Sequence, residues 1–128
     1  MRALSAVVLV GALVVACAPP KSPEARRADI LAHDAGAARA AVHERCASLG
    51  LTLDLTRERP ANGWRERRDV ASLRAIASEA RTGRSIASVE RFSGPDPGGS
   101  SLWSLAHFWY FYDASDVVVD AEWEYMSD

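Results

Sequence analysis

The sequence predicts an α+β fold: two helices packed on one face of a small, mostly antiparallel four-stranded sheet, in the order α-β-α-β-β-β. Three observations predict it. An Ala-rich run between Glu24 and Leu49 carries apolar residues at helical spacing, Leu51 to Thr56 alternates strictly, and most of the aromatic residues fall in two strand-like runs at the C-terminus.

In the first helix Leu31, Ala35, Ala38, Val42, Cys46 and Leu49 recur every three or four residues, and Gly50 is the expected stop. Leu51, Leu53 and Leu55 then share one side of a strand. Arg57 to Arg68 is charged, contains Pro60-Ala61-Asn62-Gly63, and reads as a surface loop. Asp69 is the expected N-cap of a second helix with Val70, Leu73, Ile76, Ala77 and Ala80 on its inner face and Gly83 at its end. Ser85 to Phe92 reads as a strand and Ser93 to Ser101 as a Pro- and Gly-rich loop. Leu102 to Tyr112 and Val117 to Met126 form a hairpin about Asp113-Ala114-Ser115-Asp116.

The N-terminus has a different character. Met1-Arg2 is positive, Ala3 to Val15 is apolar and uncharged, and Val14-Val15-Ala16-Cys17 follows, so residues 1–16 read as a signal peptide. This run resembles the lipobox of bacterial lipoproteins. The resemblance implies cleavage before Cys17, a diacylglycerol on its sulfur and often a further acyl chain on its new amine. Attachment to the membrane through Cys17 then needs no spanning helix, because each buried methylene contributes about 0.8 kcal/mol and two or three chains hold firmly. Residue 18 is Ala, whereas enteric lipoproteins retained in the inner membrane carry Asp there. The resemblance therefore implies a cell-envelope protein on the periplasmic face of the outer membrane, in a cell with two membranes. Residues 17–23 form the lipidated cysteine and a Pro-rich linker, and 24–128 a single domain.

The chain has 15 basic and 17 acidic residues. Loss of Arg2 with the signal peptide takes the net charge from −2 to about −3, which gives no electrostatic case for nucleic acid. With Cys17 lipidated, Cys46 has no disulfide partner and reads as a small buried hydrophobe. No cofactor or zinc motif is present, and His33 and His43 stand about 15 Å apart along one helix, so the sequence predicts no metal site.

The hairpin is the candidate binding face. In its last strand Val117, Val119, Ala121, Trp123 and Tyr125 alternate with Asp120, Glu122 and Glu124. A two-residue turn at Ala114-Ser115 pairs Tyr110 with Val119 and sets His107 opposite Glu122. One face then gathers Trp103, His107 and Trp109 beside Asp120, Glu122 and Glu124, a combination suited to a sugar, a cationic group or a partner protein. The alternative is a central strand covered on both sides, its acids paired to Arg91 or other arginines. Arg65-Glu66-Arg67-Arg68 reads as a solvated loop, with anionic headgroups or a partner as its functional alternative.

The expectation for function is a membrane-anchored, non-enzymatic binding or protein-interaction domain with a possible envelope protein partner, such as an envelope-assembly accessory or a toxin-neutralising protein. The competing class is an envelope hydrolase using His107 with Glu122 or Asp120.

Overall fold

The computed structural model describes residues 22–98 and 105–125. Their elements are α1 (Pro23–Asp34), α2 (Arg39–Ser48), β1 (Thr52–Glu58), a 3₁₀ turn (Trp64–Glu66), α3 (Val70–Thr82), β2 (Ser88–Pro95), β3 (Leu105–Tyr112) and β4 (Val118–Tyr125). The strands form one antiparallel sheet in the order β1-β2-β3-β4, as the α+β reading requires.

The layering differs from the expectation. Even-numbered residues of β3, namely Phe108, Tyr110 and Tyr112, join Phe92 and Val118 in a core closed by Ile30 of α1 and by Val42 and Cys46 of α2. The odd-numbered Trp109 and Phe111 join Val89, Ile86 and Trp64 in a second core closed by Ala71 and Ala75 of α3. Helices therefore cover both faces of the sheet, not one. β3 is apolar on both sides because it is central and doubly covered.

The Ala-rich run is two helices. Ser22 caps α1 through its Oγ, with Pro23 at the first helical position, so the linker ends one residue earlier than expected. The break falls at Gly36, whose φ of +73° suits glycine. Tertiary pairing holds it: Gly36 N–H donates to Val118 O, Val118 N–H to Ala37 O, and Arg39 N–H to Asp116 O. Ala35 and Ala38 of the expected stripe are exposed as a result.

α3 begins and ends where expected. Asp69 Oδ1 accepts from the Ser72 N–H at 2.8 Å, and Gly83 closes the helix at φ +68°. Its inner face, however, is Ala71, Ser72, Ala75 and Ser78. Trp64, Trp109 and Phe111 fill the space above the sheet, so only small side chains fit beneath the helix. Val70 and Leu73 consequently stay 48% and 56% exposed.

The leucines of the first strand do not share a side. Leu51 packs with the α1/α2 core, Leu55 with the α3 core, and Leu53 is exposed, because the register shifts between Leu53 and Leu55. β2 also runs on through Ser93, Gly94 and Pro95, which pair with His107, Ala106 and Leu105.

Candidate functional site

The β3-β4 hairpin is closed by Asp113, whose N–H donates to Val117 O, and this leaves a three-residue loop, Ala114-Ser115-Asp116. Asp113 Oδ1 accepts from the N–H groups of Ser115 and Val117, and Asp116 sits at φ +58°. A bulge beyond it places Val118 opposite Tyr112 and Asp120 opposite Phe111. Val118 then joins the α1/α2 core while Val119 packs toward α3, so the expected pairing of Tyr110 with Val119 gives way to Tyr110 with Ala121. His107 stands opposite Glu124, not Glu122, and Trp109 opposite Glu122.

This register decides what the candidate face can do. Trp109 is fully buried. Arg74 and Arg91 lie over its ring at 4.7 and 5.3 Å from the centroid, and its Nε1 donates to Glu124 at 3.1 Å. Asp120 accepts from Ser78 at 2.7 Å and pairs with Arg81, and that bond is the chief cause that raises the proton affinity of the guanidinium further. Glu122 meets Arg74 at 2.5 Å, and Glu124 pairs with the same arginine. The three carboxylates and the indole thus form the joint between α3 and the sheet. Their partners are Arg74 and Arg81, whereas Arg91 pairs with Asp54 at 2.8 Å. Trp103 and Cys17 lie outside the described residues.

His107 enters a different constellation. Its Nδ1 lies 2.5 Å from Ser93 Oγ, which lies 2.7 Å from Asp54 Oδ2. Burial raises the proton affinity of Asp54, but hydrogen bonds from Arg91 and Ser93 outweigh it and hold the carboxyl below its usual range. An ionised Asp54 only accepts, so Ser93 donates to Asp54 and the His107 Nδ1–H donates to Ser93. Burial, then Arg91, holds the His107 imidazole below its usual range and favours the neutral ring. Asp120 and Glu122, which the hydrolase reading assigned to His107, are engaged by α3 instead.

Two clusters lie on the opposite face. Asp34, 2% exposed, accepts from Tyr110 Oη at 2.8 Å and faces Arg45 at 3.5 Å. Cys46 Sγ lies 4.0 Å from the same hydroxyl, and burial pushes its thiol up to about 12, which makes it the inert hydrophobe that was expected. The second cluster underlies the hairpin end. Buried Glu90 meets His43 Nε2 at 2.7 Å and Arg39 Nε at 3.4 Å, and Arg39 stacks on Tyr112 at 4.5 Å. The Tyr112 hydroxyl is buried and makes no hydrogen bond of ordinary geometry among the described residues, and burial, then the neighbouring Glu90, pushes its proton affinity up. A groove of ≈ 530 Å³ opens above, lined by Ala38, Arg39, Ala40, His43, Ser115 and Asp116.

Sequence reasoning missed Ser93, Asp54 and Glu90 because strand register brings Ser93 to His107 and Asp54 to Ser93, and helix packing brings His43 to Glu90. A signal existed for His43, which follows Arg39 by four residues and so shares its helical face. Among the described residues no group of three or more His, Cys, Asp or Glu side chains is arranged to hold a metal ion. Comparison of the chain with protein-family models, curated proteins and solved structures finds no match.

Proposed function

We propose that this protein is a lipid-anchored lipoprotein of the cell envelope, on the periplasmic side of the outer membrane in a diderm cell, whose domain is a non-enzymatic binding module for another envelope component. The anchor rests on Val14-Val15-Ala16-Cys17. The binding assignment rests on the way the domain uses its ionisable groups: the acids that could have served chemistry with His107 act as struts between α3 and β4.

The observation that carries the binding surface is the groove at the hairpin end, with the buried Tyr112 hydroxyl and the Arg39-Glu90-His43 cluster beneath it. Its position suits a tethered protein. α1 runs antiparallel to β4: Arg27, near its start, meets Tyr125, while Gly36, just past its end, meets Val118. The groove is therefore at the end of the sheet away from the linker, facing out from an anchoring membrane.

A photo-crosslinking residue at Ala40, at the groove, tests this in intact cells against the same residue at Ala32, exposed on α1. A discrete crosslinked species at Ala40 alone, lost with Cys17→Ser, supports the reading. Equal yields at both positions, or none at Ala40, would overturn it.

A further inference from the structure

We infer that the outer face of the first turns of α3, with the arginines of the run that leads into it, forms a second membrane contact, a surface for anionic lipid that holds the domain against the bilayer carrying the Cys17 anchor. This inference rests on the anchor reading above. Three observations converge on it.

The first is how arginines are spent. Those facing the sheet, Arg27, Arg39, Arg74, Arg81 and Arg91 among them, each meet a carboxylate. Among the described residues, Arg65, Arg67 and Arg68 make no ion pair. Three unpaired arginines against the single acid Glu66 give these four residues a net charge of +2, a local positive field on a chain whose net charge is −2.

The second is the apolar stripe among them. Because α3 turns its small residues inward, Val70 and Leu73 face out, and Leu73 and Ile76 line a groove of ≈ 550 Å³ with Arg65, Arg67 and Arg68. Apolar side chains flanked by arginines, whose stems lie along apolar surface while their heads reach phosphates, are the composition of an interfacial helix.

The third is reach. Arg27 near the start of α1 meets Asp96 and Tyr125, and Arg74 near the start of α3 meets Glu122 and Glu124. Both helices thus begin at the same end of the sheet, on its two faces. Gly98 fixes the start of α1 there, because a Cβ at this position would come within 2.6 Å of Pro23 O. The five residue steps from Cys17 to Ser22 span at most ~18 Å. A bilayer held by Cys17 lies across that end of the domain, within range of the first turns of α3. An acidic protein segment would match the same charges, but every anchored molecule carries its bilayer at an effective concentration that a diffusing partner does not reach.

The test places a nitroxide at Leu73→Cys in the lipidated protein, reconstituted into phosphatidylcholine vesicles with and without phosphatidylglycerol. Cys46 is buried and leaves the label to the new site, and Ser115→Cys at the hairpin turn is the control. The expected result is shielding of position 73 from an aqueous nickel relaxant in phosphatidylglycerol vesicles, reversed by high salt, while position 115 stays aqueous. Position 73 as aqueous as position 115 in vesicle-bound protein would overturn the inference. Shielding seen only in native membranes, and not in pure lipid, would assign the face to a protein partner and overturn it equally.

A chain without lipid would sink the anchor reading alone. The mature chain with Cys17→Ser, which retains the whole sheet and both cores, then decides the face. Salt-sensitive binding to phosphatidylglycerol vesicles, weakened on the order of 100-fold by Arg65→Gln, Arg67→Gln and Arg68→Gln together, supports it, and absence of binding overturns it.

Discussion

Arg74 lies across Trp109, its guanidinium 4.7 Å from the ring centroid, and from there it pairs with both Glu122 and Glu124. One side chain thereby closes the α3 core, bridges two neighbouring carboxylates, of which Glu122 also meets Arg81, and sets the rotation of the helix. Trp109 is buried because Arg74 and Arg91 roof it.

Arg74→Ala should therefore do more than remove a partly exposed ion pair. It opens the roof of Trp109 and leaves Glu122 and Glu124 in mutual repulsion, at an expected cost of about 1–2 kcal/mol. Urea unfolding measures the cost, and near-neighbour exposure of Trp109 should shift its emission to the red. An unchanged spectrum with unchanged stability would mean that Arg74 is a solvated surface residue.

Among the described residues Arg27 and Asp96 form the most deeply buried ion pair, with the guanidinium at 1% exposure stacked 4.1 Å from the Trp123 centroid. Asp96→Ala leaves that charge uncompensated and should cost about 3–5 kcal/mol, whereas replacing both partners with apolar residues should cost far less. Thermal unfolding of the single and double variants distinguishes them. Equal losses would show that the pair itself, not the orphaned charge, sets the energy.

Cys46 should resist thiol reagents in the folded protein. With its thiol pushed up to about 12 from an ordinary 9.0, the thiolate fraction at pH 8 falls roughly 1000-fold, and burial slows attack further. Modification should therefore track unfolding. Rapid reaction under native conditions would contradict the packing of Cys46 against Tyr110.

Asp69 gives a pH signature to α3. Hydrogen bonds from Ser72, the backbone N–H first, hold its carboxyl below the ordinary value. Because the folded value is depressed, its contribution is fully present above the unfolded value, near pH 4, and is lost as pH falls through the folded one. Asp69→Ala should cost roughly 0.5–2 kcal/mol at neutral pH. The difference between Asp69→Ala and wild type should shrink on acidification, and a pH-independent difference would remove the cap from the account.

The elements that the sequence made legible were those set by local chemistry. Asp69 and Gly83 delimit α3, and Gly50, at φ +77°, follows α2. Long-range effects were not legible. The break at Gly36 depends on hydrogen bonds to Val118, which lies on the last strand. The hairpin register turns on Asp113, whose side chain bonds Ser115 and Val117 and whose N–H pairs with Val117, so that the loop has three residues where two are expected. The inner face of α3 was misread because Val70 and Leu73 are larger than the space that Trp64, Trp109 and Phe111 leave. That rotation moved the candidate acids from a binding face into a joint and turned Leu73 outward beside Arg67 and Arg68.

Mass analysis of the N-terminal peptide of the mature protein tests the central claim most directly. The account predicts a peptide beginning at Cys17 and carrying diacylglycerol, with fatty-acid labelling and membrane retention both lost in Cys17→Ser. A chain that begins elsewhere, or an unmodified Cys17 in membrane-retained protein, would contradict it.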